Sequence, residues 1–196
     1  MAFFHKIGEY MLVGRLGAIA RRYFVMNAFD GALTMLGILT GAYLTGRQDV
    51  SLIIHAGFGA SIAMAMSGMT GAYMTEKAER KKELQELEDA MLTDLNDSVY
   101  GRANRFAPLF TALIDGISPA LAAVLILSPF ILVDKGVVGF QEAFSTSMAV
   151  TVATLFLLGA YLARISRESA LSYGLQMVAA GLATATIIFL VEYASR

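Results

Sequence analysis

The sequence predicts an all-α integral membrane protein with five transmembrane helices. The N-terminus is expected to be cytoplasmic, and a cytoplasmic helical extension follows span 2. Three observations carry this reading. Of 196 residues, 57% are hydrophobic and only 16% are charged, whereas soluble domains carry about 25% charge. Five segments, approximately 24–44, 51–74, 107–132, 137–163 and 170–192, contain no Lys or Arg. Each reaches the roughly 20 apolar residues that a bilayer core requires. Tyr23, Tyr43, Tyr73, Tyr161, Tyr173 and Tyr193 stand at or near segment ends, as in an aromatic belt at headgroup level.

Composition excludes several other classes. With no cysteine, disulfides, zinc thiolates and thiol catalysis are ruled out. The two histidines, His5 and His55, leave little for an imidazole metal site. A net charge of −1 lacks the basic footprint that nucleic acid demands. The lipid bilayer is the expected partner, and nucleic acid is not.

Taken in chain order, residues 1–22 precede the first span. Their apolar run is too short and too interrupted for a signal peptide. Phe3, Phe4, Ile7, Met11 and Leu12 suit a helix lying in the inner interface, and a frayed cytoplasmic tail is the alternative. Residues 23–74 hold spans 1 and 2, residues 75–106 an acidic cytoplasmic helical loop, and residues 107–196 spans 3 to 5. Lys6, Arg15, Arg21, Arg22, Lys77, Arg80, Lys81, Lys82, Arg102, Arg105, Arg164 and Arg167 fall on one side of the alternating spans. Arg47, Lys135 and Arg196 fall on the other. The positive-inside rule therefore places the N-terminus inside.

A weak repeat relates the spans. Asp30-Gly31 in span 1 recurs as Asp115-Gly116 in span 3, 85 residues on. Span 2 and span 4 share Phe58…Ser61…Ala63 with Phe144…Ser147…Ala149, and Gly71-Ala72-Tyr73 with Gly159-Ala160-Tyr161. This suits a parallel two-helix duplication of the kind found in transporters. Coincidence in Ala/Gly-rich helices is the alternative.

The two acids are the leading site candidates. A charge near the bilayer centre costs at least ~2.5–3.5 kcal/mol by insertion scales, and the spans supply no basic partner. Each acid must be protonated, face water or bind a cation. Asn27, Asp30 and Thr34 share one helical face. Gly37 and Gly41 continue it as a GxxxG that permits close helix approach, either in a homodimer or within one protomer. Pro119 cannot donate to the Asp115 carbonyl. The expected result is either a broken helix with a carbonyl lining a cavity or a simple kink. Met64, Met66, Met69 and Met74 enrich span 2. Met69 is expected at roughly the depth of Asp30. Its thioether is a soft ligand beside hard carboxylates, or a packing residue.

After span 2 the sequence favours continued helix. Glu76, Glu79, Glu83, Glu86, Asp94 and Asp97 fall within an arc of roughly 80° if the helix continues. Six carboxylates could collect divalent cations. The pairs Glu76–Arg80 and Lys82–Glu86 also fit an ordinary solvated helix.

These residues resemble the vacuolar iron transporter family, which includes nodulin-21-like proteins. Asp30-Gly31-Ala-Leu-Thr34 is similar to the family's Asp-Gly-x-x-Thr. Ser67 followed by Gly71-Ala72-Tyr73 and a charged helix is similar to its Ser-Met-x-x-Gly-Glu-Tyr segment. Ser128-Pro129-Phe130 is like its proline-aromatic ending. The resemblance implies proton-coupled export of Fe²⁺, and of Mn²⁺ as a second substrate, from the cytoplasm by a homodimer. The family's transport Asp maps onto Asp30. Its span-2 methionine maps onto Gly68, one position before Met69, and its Glu onto Ala72. The loop 75–106 is shorter than the family's full metal-binding domain, and Asp115 is a candidate replacement ligand.

The expected protein is thus a divalent-metal transporter with no cofactor, sited in the cell membrane of a prokaryote or a vacuolar-type membrane of a eukaryote. The candidate metal residues are Asp30, Met69, Asp115, Asn27, Thr34, Met66, Glu76, Glu79, Glu83, Glu86, Asp94 and Asp97. The alternatives are a proton-coupled exporter of another cation and a non-transporting regulatory membrane protein. An enzyme is not expected, since lipid-phosphate transferases need further spaced aspartates. The next acid after Asp30 is Asp49, in the outer loop.

Overall fold

A computed structural model describes Tyr10 and residues 16–46 and 48–194. The segment holding Phe3, Phe4, Ile7, Met11 and Leu12 lies outside the described residues. The described residues form five helices and no strand. In chain order they are α1 (Leu16–Leu44), α2 (Val50–Met91), α3 (Val99–Asp134), α4 (Phe140–Ser166) and α5 (Ala170–Ala194). All five are long and apolar enough to cross a membrane. Each predicted span lies in its own helix, though α4 begins at Phe140 rather than at 137.

The helices outrun the apolar segments at the basic ends. α1 takes in Arg21 and Arg22, and α3 takes in Arg102 and Arg105. A base ends an apolar run without ending a helix, because its stem lies along the apolar surface while its charge reaches water. At 42 residues, α2 is about 63 Å long at ~1.5 Å per residue, roughly twice a bilayer core.

The arc of six acids is shorter than predicted. α2 ends at Met91, where Leu92 turns left-handed at φ 51°. Thr93 N–H donates to the Glu88 carbonyl at 3.2 Å. The Glu88 carboxylate then accepts from Leu95 N–H at 2.8 Å and from the Asn96 amide at 3.2 Å. The side chain of Glu88 thus competes for the chain beyond, and the helix stops before Thr93. Asp94 and Asp97 lie in the connection, off the face that Glu76, Glu79, Glu83 and Glu86 share.

The contacts divide the chain into two units, and the division falls within α1, α2 and α3. One unit is Met1–Asn27 with Ala65–Ser118; the other is Ala28–Met64 with Pro119–Arg196. α3 itself runs unbroken through Pro119, which removes the broken-helix alternative.

The second unit holds an apolar core of Met35, Leu39, Ile53, Ile126, Leu127, Phe130 and Leu155. Phe130 meets Phe140 edge-on at 5.7 Å, and Tyr43 stacks on Phe144 at 4.5 Å. Ser147 donates across helices to the Ile126 carbonyl at 2.7 Å, which satisfies a buried hydroxyl. Glu142 accepts from Gly139 N–H at 3.1 Å and so caps the start of α4.

In the first unit the distal part of α2 returns along the start of α3. Ala103 and Ala107 are fully buried. The Asn104 amide donates to the Arg80 carbonyl at 3.3 Å. Arg105 ties back to the Asn96 carbonyl at 2.8 Å.

Candidate functional site

The first unit brings three predicted site residues to one junction. Asn27 comes from α1, Met69 from α2 and Asp115 from α3. Asp115 is buried, with 4% exposure. The Asn27 side-chain amide donates to Asp115 Oδ1 and also to the Tyr23 carbonyl at 2.9 Å. The carboxylate's position is therefore set by an amide that is itself anchored.

Two glycines make the junction possible. Asp115 Oδ2 fills the place a Cβ on Gly68 would take. Met69 lies against Gly116: its Sδ is 2.7 Å from the position a Cβ there would occupy, and the Ala65 carbonyl is 3.0 Å from it. Any side chain at either glycine would displace a candidate ligand. Thr111 stands one turn before Asp115 on the same face of α3. It is fully buried and its hydroxyl has no hydrogen-bond partner. The sequence reading missed this residue. Its signal was the i,i+4 spacing to an intramembrane acid.

The second unit holds the other acid. Asp30 sits at the midpoint of α1 and is exposed on the single chain. Gly31 beside it faces Pro119, whose Cα and carbonyl oxygen would lie 2.8 Å from an added Cβ. Thr34 donates to Met64 Sδ at 3.4 Å. Thr34 therefore finds a thioether, but from Met64 rather than from Met66 or Met69, the candidate ligands. Met66 is 59% exposed and turns outward.

Beyond the apolar stretch of α2, Glu76 is buried against Arg80 at 3.3 Å, and the same guanidinium reaches Glu83 at 3.2 Å. One arginine thus holds two of the four acids that remain on the arc. Glu86 pairs with Lys82 at 3.8 Å on the surface, and Glu79 is exposed. Among the described residues no three carboxylate or imidazole side chains converge. Asp94 accepts from Asn96 N–H at 2.7 Å and from its amide at 2.9 Å. These bonds, the backbone one foremost, hold the Asp94 carboxyl below the usual carboxylate range.

Five apolar helices and a buried carboxylate held by an asparagine amide define a polytopic membrane protein with a polar intramembrane junction. The VIT family, the vacuolar iron transporters, matches residues 86–193, more than half of the chain. An uncharacterized protein of Methanocaldococcus jannaschii is 36% identical over 182 residues, which is 91% of each chain. No solved structure matches. The chain belongs to the VIT family. It is an integral membrane protein of a family of metal-ion transporters. Asp115 lies inside the matched stretch, whereas Asp30 and Met69 precede it.

Proposed function

We propose that the protein exports a divalent metal from the cytoplasm in exchange for protons, as a homodimer, with Fe²⁺ the first substrate and Mn²⁺ the second. The junction at Asp115 is the observation that carries this reading. Asn27 donates to the Asp115 carboxylate, and Met69 packs one residue along α3 against Gly116. A small rearrangement of these side chains would offer a hard carboxylate, an amide oxygen and a soft thioether, a donor set suited to borderline divalent ions. Where the family resemblance aligns a methionine, this chain has Gly68, and Asp115 Oδ2 fills the space. A carboxylate from α3 thereby stands in for a sulfur from α2. That exchange favours harder ions and supports Mn²⁺ beside Fe²⁺.

The exposure of Asp30 supports the homodimer. An exposed carboxylate at the midpoint of a spanning helix is not stable against lipid. It requires water, a cation or a second copy of the chain. Export by antiport gives both acids work, since a carboxylate can hold either the metal or the proton. The archaeal relative favours the cell membrane over a vacuolar one. No residue is assigned a catalytic role in this reading, and no cofactor is needed beyond the transported ion.

Proteoliposome flux tests it. A proton gradient should drive Fe²⁺ or Mn²⁺ uptake, and Asp30→Ala should abolish it. Asp115→Asn, which keeps the shape, should lower flux by about tenfold or more, corresponding to about 1.4 kcal/mol of lost ligand interaction. Normal transport in the Asp30→Ala variant would reject the site assignment.

A further inference from the structure

The strongest unassigned feature is a cleft of ≈ 470 Å³ in the first unit. Its charged and polar lining comes from Lys77, Arg80, Lys81, Arg105, Asn96 and Asn104. Among the described residues, no acid contributes to its wall. Glu76 and Glu83 stand behind Arg80 and pair with it. Counting both, the cleft still keeps an excess of two positive charges. Divalent cations are repelled from such a place, so it has no part in the proposed metal route.

We propose that this cleft binds the phosphate of an anionic phospholipid headgroup. Basic pockets between helices at the cytoplasmic membrane boundary suit such headgroups. Three observations favour the headgroup here. First, Tyr73 and Pro108 also line the cleft, and they stand at the ends of the apolar segments 51–74 and 107–132. The cleft therefore opens where apolar helix surface gives way to charge. Met74 and Leu109, next in sequence to these two lining residues, are 62% and 55% exposed.

Second, Asn104 is 4% exposed, and its Oδ1 has no hydrogen-bond partner. Its Nδ2 donates to the Arg80 carbonyl at 3.3 Å. Turning the amide over would set oxygen against oxygen, so the acceptor stays where it is. A buried acceptor without a donor costs about 1–3 kcal/mol in a protein interior. Asn104 lines the cleft, so a small shift of its side chain would let a hydroxyl of a glycerol headgroup supply the missing donor. Third, the cations are differently committed. Arg80 is pinned by its two glutamates. Lys77 lies 5.5 Å from the centroid of the Tyr73 ring. Lys81 has no acidic partner within salt-bridge range among the described residues. The two exposed lysines are placed to close on a phosphate.

Full-length protein stripped of lipid in detergent should be titrated with phosphatidylglycerol and with phosphatidylcholine, and binding read by native mass spectrometry. Phosphatidylglycerol should be retained in preference to phosphatidylcholine. Lys77→Gln with Lys81→Gln should weaken it by about 30-fold, from the usual contribution of each base near a charged surface. Both lysines are exposed, so the variant should fold. Lys135→Gln with Arg164→Gln removes the same charge elsewhere and should change nothing. Inorganic phosphate at millimolar concentration should not displace the lipid. Equal retention of the two lipids, or an unchanged affinity in the Lys77/Lys81 variant, would overturn the proposal. If inorganic phosphate displaces the lipid and stabilises the protein as well as it does, the lipid assignment is wrong and the ligand is a soluble phosphate.

Discussion

Gly68→Ala is the most direct probe of the Asp115 junction. An alanine Cβ would take the position that Asp115 Oδ2 holds. The carboxylate would have to turn, and the Asn27 amide would lose its acceptor. Losing a buried hydrogen bond of this type costs about 1–3 kcal/mol, the upper end applying when the acceptor is charged. The same substitution gains about 1 kcal/mol of helix propensity, which blurs a single comparison. Gly71 removes that blur. It lies three residues on in the same helix, and nothing lies within 4 Å of a Cβ added there. Gly71→Ala gains the propensity without the collision. The difference between the two variants therefore isolates the junction. At ~2–4 °C per kcal/mol for a chain of this length, Gly68→Ala should melt about 2–12 °C below Gly71→Ala. Far-UV circular dichroism of the full-length protein in detergent reads this directly. Asn27→Ala should abolish most of the gap, since neighbours that share one bond are not additive. Equal melting of the two glycine variants would refute the proposed packing of Asp115 against Gly68.

Three other outcomes follow from the geometry. Arg80→Met strands the buried Glu76 and the half-exposed Glu83; it should destabilise the protein toward the lower end of the ~3–5 kcal/mol typical of a broken buried pair. Arg80→Met with Glu76→Leu should recover part of that loss in the same melting assay. Asp94 is held below the usual carboxylate range, so its contribution is complete above the unfolded-state value and is lost as pH falls through the lower folded-state value. The protection factor of Asn96 N–H, its exchange corrected for the intrinsic pH dependence, should fall in that acidic window, and Asp94→Asn should remove that fall. Gly31→Ala drives a Cβ to within 2.8 Å of Pro119 backbone atoms; overpacking of about 1–3 kcal/mol should lower its melting temperature, whereas Gly59→Ala, with open space around it, should not.

The spans were legible because a bilayer core demands long apolar runs, and nothing local overrides that demand. The helix ends were not. Arg21, Arg22, Arg102 and Arg105 mark where the apolar run stops, yet the helix continues past them because a snorkelling base costs little. The end of α2 was hidden for the opposite reason. Propensity favours helix through Asp97, but Glu88 caps the following turn with its side chain, a tertiary choice that no periodicity reveals. The pairing of Glu76 with Arg80 was visible as spacing. Its burial was not, because that depends on Asn104 and the alanines of α3 lying against it.

The Asp-Gly repeat is where spacing said most and least. Both glycines do the same job, letting another helix close in: Gly31 against Pro119, and Gly116 against Met69 and Ala65. The two aspartates do not share a job. Asp115 turns into its own unit, where Asn27 receives it and Gly68 leaves it room. Asp30 turns out of the chain altogether. The recurring Asp-Gly pair thus yields one carboxylate stabilised within its own unit and one that is exposed on the single chain. Under the proposed homodimer, a two-fold axis beside α1 would bring two copies of Asp30 together, and like charges so placed cannot both ionise without a cation between them. A proton or a divalent metal relieves that repulsion equally well. Under the proposed antiport, competition between the two at Asp30 would be the coupling step, with Asp115 as a fixed metal ligand.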